Sequence, residues 1–211
     1  MAVNFTPREL SEKYDGFARW YDWVEGIPEF LGLRRLRPQM LRRVSGEGRI
    51  LEIAVGTGKN LRYYSHDCRI ISLDISGEML TVARKRAAHL SMDISFLLGD
   101  AEVLPFSDES FDTVVSSLST CTFPNPVRAL REMARVCKPE GRILLLEHGR
   151  SDREWLGRWQ DRREDSIAKQ LGCHWNREPL GAAENAGLRV VVASRRFFGI
   201  FHLIEAKPCE H

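Results

Sequence analysis

The stretch LEIAVGTGKN, Leu51 to Asn60, decides how the chain is read, because a short apolar run passes straight into a glycine turn. A strand feeding such a turn often cradles phosphate, yet both common phosphate patterns fail here. Gly56-Thr57-Gly58-Lys59-Asn60-Leu61 supplies G-x-G-x-x-L, where dinucleotide folds need G-x-G-x-x-G/A for close helix packing around a pyrophosphate. The P-loop pattern G-x-x-x-x-G-K-[ST], read back from Gly58-Lys59, meets Ile53 in place of glycine and Asn60 in place of a hydroxyl residue. Glu52, a carboxylate within the strand, opposes an incoming phosphate and favours a ligand carrying positive charge. The turn therefore points to a cation.

Outward from this turn, strands and helices alternate. Apolar runs recur at RILEIA (49–54), RIISLD (69–74), ISFLLG (94–99), DTVVSSL (112–118) and RILLLEH (142–148), each followed by polar or helix-patterned sequence. That is the rhythm of a parallel α/β sheet. Met79, Val82, Ala83, Ala87 and Leu90 share one helical face, as do Val127, Leu130, Ala134 and Cys137, with Ser76 and Asn125 as N-caps. Pro139 and Gly141 stop the second of these helices. A charged helix with Trp155, Trp159, Ile167 and Leu171 at helical spacing follows, and then two last strands, RVVVASR (189–195) and GIFHLIEA (199–206), read as a hairpin that closes the sheet.

Composition suits one globular domain: 211 residues, 43% hydrophobic and 28% charged, bury one substantial core. A formal net charge of +2 gives no case for nucleic acid. There is no apolar window of about 18 residues, and MAVNFTPREL lacks a signal-type apolar region, so a cytoplasmic protein is expected. Cys68, Cys121, Cys137, Cys173 and Cys209 form no C-x-x-C pair, which fits reduced thiols. Cys173-His174 has the chemistry of a metal ligand pair but no second pair close in sequence, so no metal is expected.

In an open α/β sheet the site lies at the carboxyl ends of the strands, where Glu52 to Gly58, Asp74, Asp100 and the residues after Leu118 converge. Asp74 ends the second strand, about 20 residues past the first, the place from which a carboxylate accepts hydrogen bonds from ribose hydroxyls. A ribose-bearing cation without phosphate is S-adenosylmethionine.

In the blocks LEIAVGTG, ISLDISGEML, GDAEVLPFSDESFDTVVSSLS and ALREMARVCKPEGRILLLEHG the chain resembles the class I S-adenosylmethionine-dependent methyltransferases, and in particular the quinone C-methyltransferases of ubiquinone and menaquinone synthesis. The resemblance covers residues 14–148; beyond it, LLLEHGRS, LGCHWNREPL and AENAGL are similar to the C-terminal part of alkyl thiol methyltransferases. It implies a Rossmann-like seven-stranded sheet of order 3-2-1-4-5-7-6 with the seventh strand antiparallel. It also implies an N-terminal helical lid (1–46), a cofactor-binding core (47–148) and a substrate-side helix with the terminal strands (149–211).

On the same resemblance Glu52, Gly56 and Gly58 meet the methionine end of the cofactor, with Ser117 beside them, and Asp74 meets the ribose. Ile75 and Met79 cover the adenine faces, Asp100, Ala101 and Glu102 its edge, while Tyr14 and Tyr21 close over the whole. Ala54 stands where the family usually has glycine, and its methyl crowds the methionine moiety.

The aromatic group Tyr14, Phe17, Trp20, Tyr21, Trp23 and Phe30 reads as core or as a lid with a substrate wall, to which Trp20, Cys121, Phe123, Arg150 and Trp155 are assigned. Arg34, Arg35, Arg37, Arg42 and Arg43 read as a solvated helix face, with a membrane-surface or anionic-substrate patch as the alternative. His148 is the nearest candidate base should the acceptor need one. The acceptor expected is small and largely apolar, a thiol first and a quinol or phenol next. The alternatives are a phosphatidylethanolamine N-methyltransferase in peripheral contact with a membrane and a noncatalytic cofactor-binding module. SSLSTCTFPNP lacks the adjacent prolines of amino-methyltransferases, which lowers that class.

Overall fold

A computed structural model describes residues 5–24, 26, 32–44, 46 and 48–209. Phe30 and the side chain of Trp23 lie outside what it describes. The chain runs through α1 (Pro7–Val24), α2 (Arg34–Leu41), β1 (Arg49–Ile53), β2 (Arg69–Asp74), α3 (Gly77–His89), β3 (Ile94–Leu98) and β4 (Phe111–Ser117). It continues through α4 (Pro126–Val136), β5 (Cys137–His148), α5 (Glu154–Leu171), α6 (Pro179–Asn185), β6 (Arg189–Arg196) and β7 (Phe201–Lys207). The seven strands form one sheet of order β3-β2-β1-β4-β5-β7-β6, as expected. β1 pairs in parallel with both β2 and β4, and β7 runs antiparallel to β5 and β6.

Period-two alternation sorts the strand residues onto two cores. Leu51, Ile53, Phe111, Ile143 and Leu145 pack with Leu130 and Met133 of α4, while Ile50, Val115, Leu144 and Leu146 pack with Leu36 and Met40 of α2 and Leu80 and Ala83 of α3. Because Glu52 alternates with Leu51, it falls on the Ile50 face, beneath α2. Arg37 accordingly departs from the solvated face expected of the arginine cluster: it is 4% exposed, and its Nη1 donates to Asn60 Oδ1 at 2.9 Å. Arg34, Arg35, Arg42 and Arg43 are exposed as expected.

Both predicted N-caps form. Ser76 Oγ accepts from Met79 N at 3.1 Å and Asn125 Oδ1 from Arg128 N at 3.0 Å. Helix α4 ends at Val136, one residue before the helical face read from the sequence, because Cys137 is drawn into β5 opposite Phe111 and Pro139 disfavours helical backbone at Lys138. In α5 the buried stripe is Gly157, Gln160 and Ala168, so Trp155 and Trp159, at helical spacing but off that stripe, remain 71% and 46% exposed. No helix among the described residues is long and apolar enough to cross a membrane.

Since Asn125 is an N-cap at an exposed helix start, Asn125→Ala is expected to cost about 1 kcal/mol. Urea unfolding reads this as a lower midpoint with an unchanged slope; an unchanged midpoint would show that the cap carries no stability.

Candidate functional site

The sheet order reverses at β1 and β4, and their carboxyl ends open a crevice. After β1 the chain turns through three residues of positive φ, Ala54 at 51°, Gly56 at 55° and Gly58 at 79°. The two glycines do different work. A Cβ on Gly58 would lie 2.8 Å from Leu61 Cδ1 and 3.3 Å from Ala83 Cβ, so this glycine lets the turn pack on α3, whereas a Cβ on Gly56 would meet nothing within 4 Å. Gly56 lines the crevice; Gly58 does not. Ala54 holds a left-handed conformation that costs an L-residue roughly 1–2 kcal/mol and sets its methyl in the crevice wall. Leu118, just past β4, carries a similar strain at φ 55° and lines the same crevice.

Two buried carboxylates flank the turn. Asp74 Oδ2 accepts from Gly56 N at 2.7 Å and Oδ1 from Ser76 N at 2.9 Å, which joins the glycine turn to the end of β2 and the start of α3. A carboxylate offers about four lone-pair sites, so acceptor capacity remains for a ligand. Burial lifts its pKa from 3.8 to about 6 against the pull of these backbone amides. Glu52 Oε1 accepts from Asn60 Nδ2 at 2.8 Å, and Asn60 in turn accepts from Arg37, a relay between a buried anion and a buried cation. Desolvation still lifts Glu52 from 4.5 to about 7, against the pull of Asn60, Arg37 and Tyr64.

The main cavity is an open cleft of about 660 Å³, counting the solvent at its mouth. On one side stand Asp74, Ile75, Met79, Asp100 and Ala101; around the turn, Ala54, Gly56 and Ser117; over the top, Tyr14 and Tyr21 of α1. Leu10, Leu73 and Gly99 also line it and were not anticipated, while Ser119, Thr122, Phe123 and Pro124 belong to the segment after Leu118 that was. A smaller pocket adjoins it across Gly56 and reaches Glu52, Arg37 and Lys59. Glu102 does not line the cavity; its Oε1 accepts from Asn125 N at 2.6 Å and fastens the segment ahead of α4.

The loop after β4 is held from behind by two residues the sequence reading missed. Glu147, fully buried in β5, accepts at Oε2 from Ser119 N at 2.9 Å and Thr120 N at 3.1 Å. Arg177 Nη1 donates to Thr120 O at 2.8 Å and Phe123 O at 2.7 Å. A carboxylate inside the apolar run RILLLEH was the visible signal for the first; nothing local marked the second.

Other candidate residues lie away from the cavity lining. Trp20 and Trp155 are 68% and 71% exposed, and Arg150 pairs with Glu154 and Asp161 at 3.3 and 3.0 Å. Cys121 and His148 turn away from the crevice towards Cys173, whose Sγ is 3.2 Å from His148 Nε2.

Residues 51–145 match the family model described as a methyltransferase domain. The chain is 36% identical, over 69% of its length and 72% of the relative's, to a phosphatidylethanolamine N-methyltransferase of Cereibacter sphaeroides. It is 30% identical, over 78% and 68%, to the ubiquinone/menaquinone biosynthesis C-methyltransferase UbiE of Pseudomonas paraeruginosa. It is also 29% identical over 95% of its length to the mitochondrial methyltransferase OMS1 of Saccharomyces cerevisiae, of which it spans 46%, less than half. The fold superposes on the [4+2]-cyclase SpnF with a TM-score of 0.79 over 100% of this chain and 99% of that one, at 18% identity, a likeness of fold alone. The chain belongs to the class I S-adenosylmethionine-dependent methyltransferases, in the group of the quinone C-methyltransferases.

Raised carboxyl pKa values make a stability statement. Glu52 and Asp74 hold their protons more tightly folded than unfolded, so the folded state binds more protons between the two sets of values, and stability falls as pH rises from about 4 to about 7. Glu52→Gln, an isostere of the protonated form, is expected to melt above wild type at pH 8 and together with it near pH 4, by roughly 2–4 °C for each kcal/mol recovered. A gap that stays constant with pH would show that Glu52 does not titrate in this window.

Proposed function

We propose that this methyltransferase moves a methyl group from S-adenosylmethionine to a small, largely apolar acceptor, a thiol first and a quinol or phenol next. The reading assigns the ribose to Asp74, the adenine faces to Ile75 and Met79, and its edge to Asp100 and Ala101. It gives the methionine end to Gly56 and Ser117, with Glu52 facing the ammonium group across the adjoining pocket. Residues 1–46 act as a lid through Tyr14 and Tyr21.

The observation that carries the acceptor class is the makeup of the wall. Apart from the two cofactor-side aspartates, the cavity is lined by apolar side chains and the hydroxyl residues Tyr14, Tyr21, Ser117, Ser119 and Thr122, and no histidine, lysine or arginine is among the described residues that line it. An acceptor that meets no strong base must arrive nucleophilic. A thiol of ordinary pKa, about 8.5, supplies some thiolate at neutral pH, whereas an aliphatic hydroxyl does not. The thiolate attacks the methyl carbon in line with the breaking carbon–sulfur bond, S-adenosylhomocysteine leaves, and the thiol proton has already gone to solvent. The protein's contribution is to hold the two partners in a near-attack arrangement.

The test is methyl transfer from labelled cofactor to alkyl and aryl thiols, quinols, phenols and phospholipid vesicles. Thiols are expected to be methylated, with kcat/KM rising about tenfold per pH unit until the thiol's own pKa is reached and shifting with that pKa along a thiol series. A pH profile indifferent to the thiol would point to a protein base. Asp74→Ala is expected to weaken cofactor binding by about 1.5–3 kcal/mol in calorimetry, and an unchanged affinity would remove Asp74 from the ribose site.

A second reading, a lipid amine acceptor at a membrane surface, is favoured by one feature besides the Cereibacter relative. The β6–β7 turn sets Phe197 and Phe198 at φ 50° and 56°, left-handed values that bulky residues avoid, and Phe198 is 62% exposed. Asp152 N donates to Phe198 O at 3.2 Å, so this tip stands beside the start of α5 and the exposed Trp155. Phosphatidylethanolamine vesicles methylated while every thiol stays unmodified would replace the first reading with this one.

A further inference from the structure

Three donor side chains that play no part in the reaction proposed above meet behind the loop that follows β4. Cys121 lies in that loop, His148 ends β5, and Cys173 follows the left-handed Gly172 that terminates α5. One donor atom from each, two thiol sulfurs and an imidazole nitrogen, all lie within 4.8 Å of one another, and His148 Nε2 stands 3.2 Å from Cys173 Sγ. His174 N donates to Cys121 O at 2.9 Å, which binds the two cysteine segments together, and Arg177 grips the Thr120 and Phe123 carbonyls on either side of Cys121. The Trp175 carbonyl is a hydrogen-bond partner for the imidazole, the kind of outer contact that orients a metal-bound histidine.

We propose that Cys121, His148 and Cys173 bind a zinc-class divalent ion. Two thiolates and one imidazole are borderline-soft donors suited to zinc in a tetrahedral site, with the fourth position taken by water or an exogenous thiolate. On binding, each thiol releases its proton to solvent and gives a lone pair to the metal, so two negative sulfurs balance the dication. A neutral centre suits a place where Cys121 is 1% exposed. Zinc bonds of about 2.3 Å to sulfur and about 2.0 Å to nitrogen set tetrahedral ligand atoms about 3.5–3.8 Å apart, so shifts of about 1 Å close the present trio on an ion. The ion ties to β5 and to the end of α5 the loop whose Leu118, Ser119, Thr122 and Phe123 face the cavity.

The test uses the untagged full chain, reduced and freed of metal with a chelator, and then titrated with cobalt(II) and zinc(II). One equivalent of cobalt is expected to bind with a thiolate-to-metal charge-transfer band and the strong visible bands of a tetrahedral site, and zinc is expected to abolish both. Cys121→Ser and Cys173→Ser are expected to weaken zinc binding about a hundredfold or more, while Cys68→Ser and Cys209→Ser leave it unchanged. Wild-type protein that takes up cobalt without a charge-transfer band, or takes up none, overturns the proposal whether or not the variants fold. The outcome is separate from the acceptor reading, because metal content and spectrum are measured without cofactor or acceptor.

Discussion

The buried carboxylate of Asp74 is the joint on which the cofactor end of the molecule turns. One oxygen takes the Gly56 amide, the other the Ser76 amide, and Ser76 passes the connection on by donating its hydroxyl to Asp15 of α1 while capping α3. A single side chain therefore sets the height of the glycine turn, the start of α3 and the seat of α1. Burial penalises its charge, and the amides repay only part of that, which leaves an anion that a polar or cationic ligand relieves. Glu52 lies under the same pressure from beneath α2, with Arg37 held off by Asn60. The two acids make the crevice receptive to positive charge before any ligand arrives.

The acceptor end is built on different physics. There the wall is a loop, and loops keep a shape only when their backbone polar groups are satisfied. Glu147 takes two of its amides from the sheet side and Arg177 takes two of its carbonyls from the α5–α6 connection, so both hydrogen-bonding edges of Ser119–Phe123 are occupied behind the cavity. With the backbone engaged to the rear, Leu118, Ser119, Thr122 and Phe123 line the cavity in front. Ala54 and Leu118, each held at positive φ where β1 and β4 end, show that the backbone is strained at both rims of the crevice. Strain of this kind persists only where the surroundings over-determine the conformation.

Much of the architecture was legible in the chain because its signals are local. Each strand is an apolar run with turn residues after it, Ser76 and Asn125 precede helices they cap, and an acid at the end of β2 stands a fixed distance beyond the glycine turn. Departures arose wherever a residue's partner was distant in sequence. Arg37 looks like one more surface arginine until α2 is laid over Glu52; Gly58 looks like a ligand contact until Ala83 and Leu61 press against it; Trp155 keeps helical spacing yet misses the stripe that α5 buries.

By itself the sequence determined the order of strands and helices, the position of the glycine turn and the acidic character of the crevice, because propensity, capping and alternation act over a few residues. Tertiary structure alone decided what lies opposite what. Cys121, His148 and Cys173 are separated by 25 or more residues and carry no shared spacing, yet the ends of β4, β5 and α5 bring their donor atoms into one small volume. The same convergence gave Glu147 and Arg177 their loop. Such contacts depend on how sheet and helices pack, a property of the whole chain that no window of neighbouring residues contains.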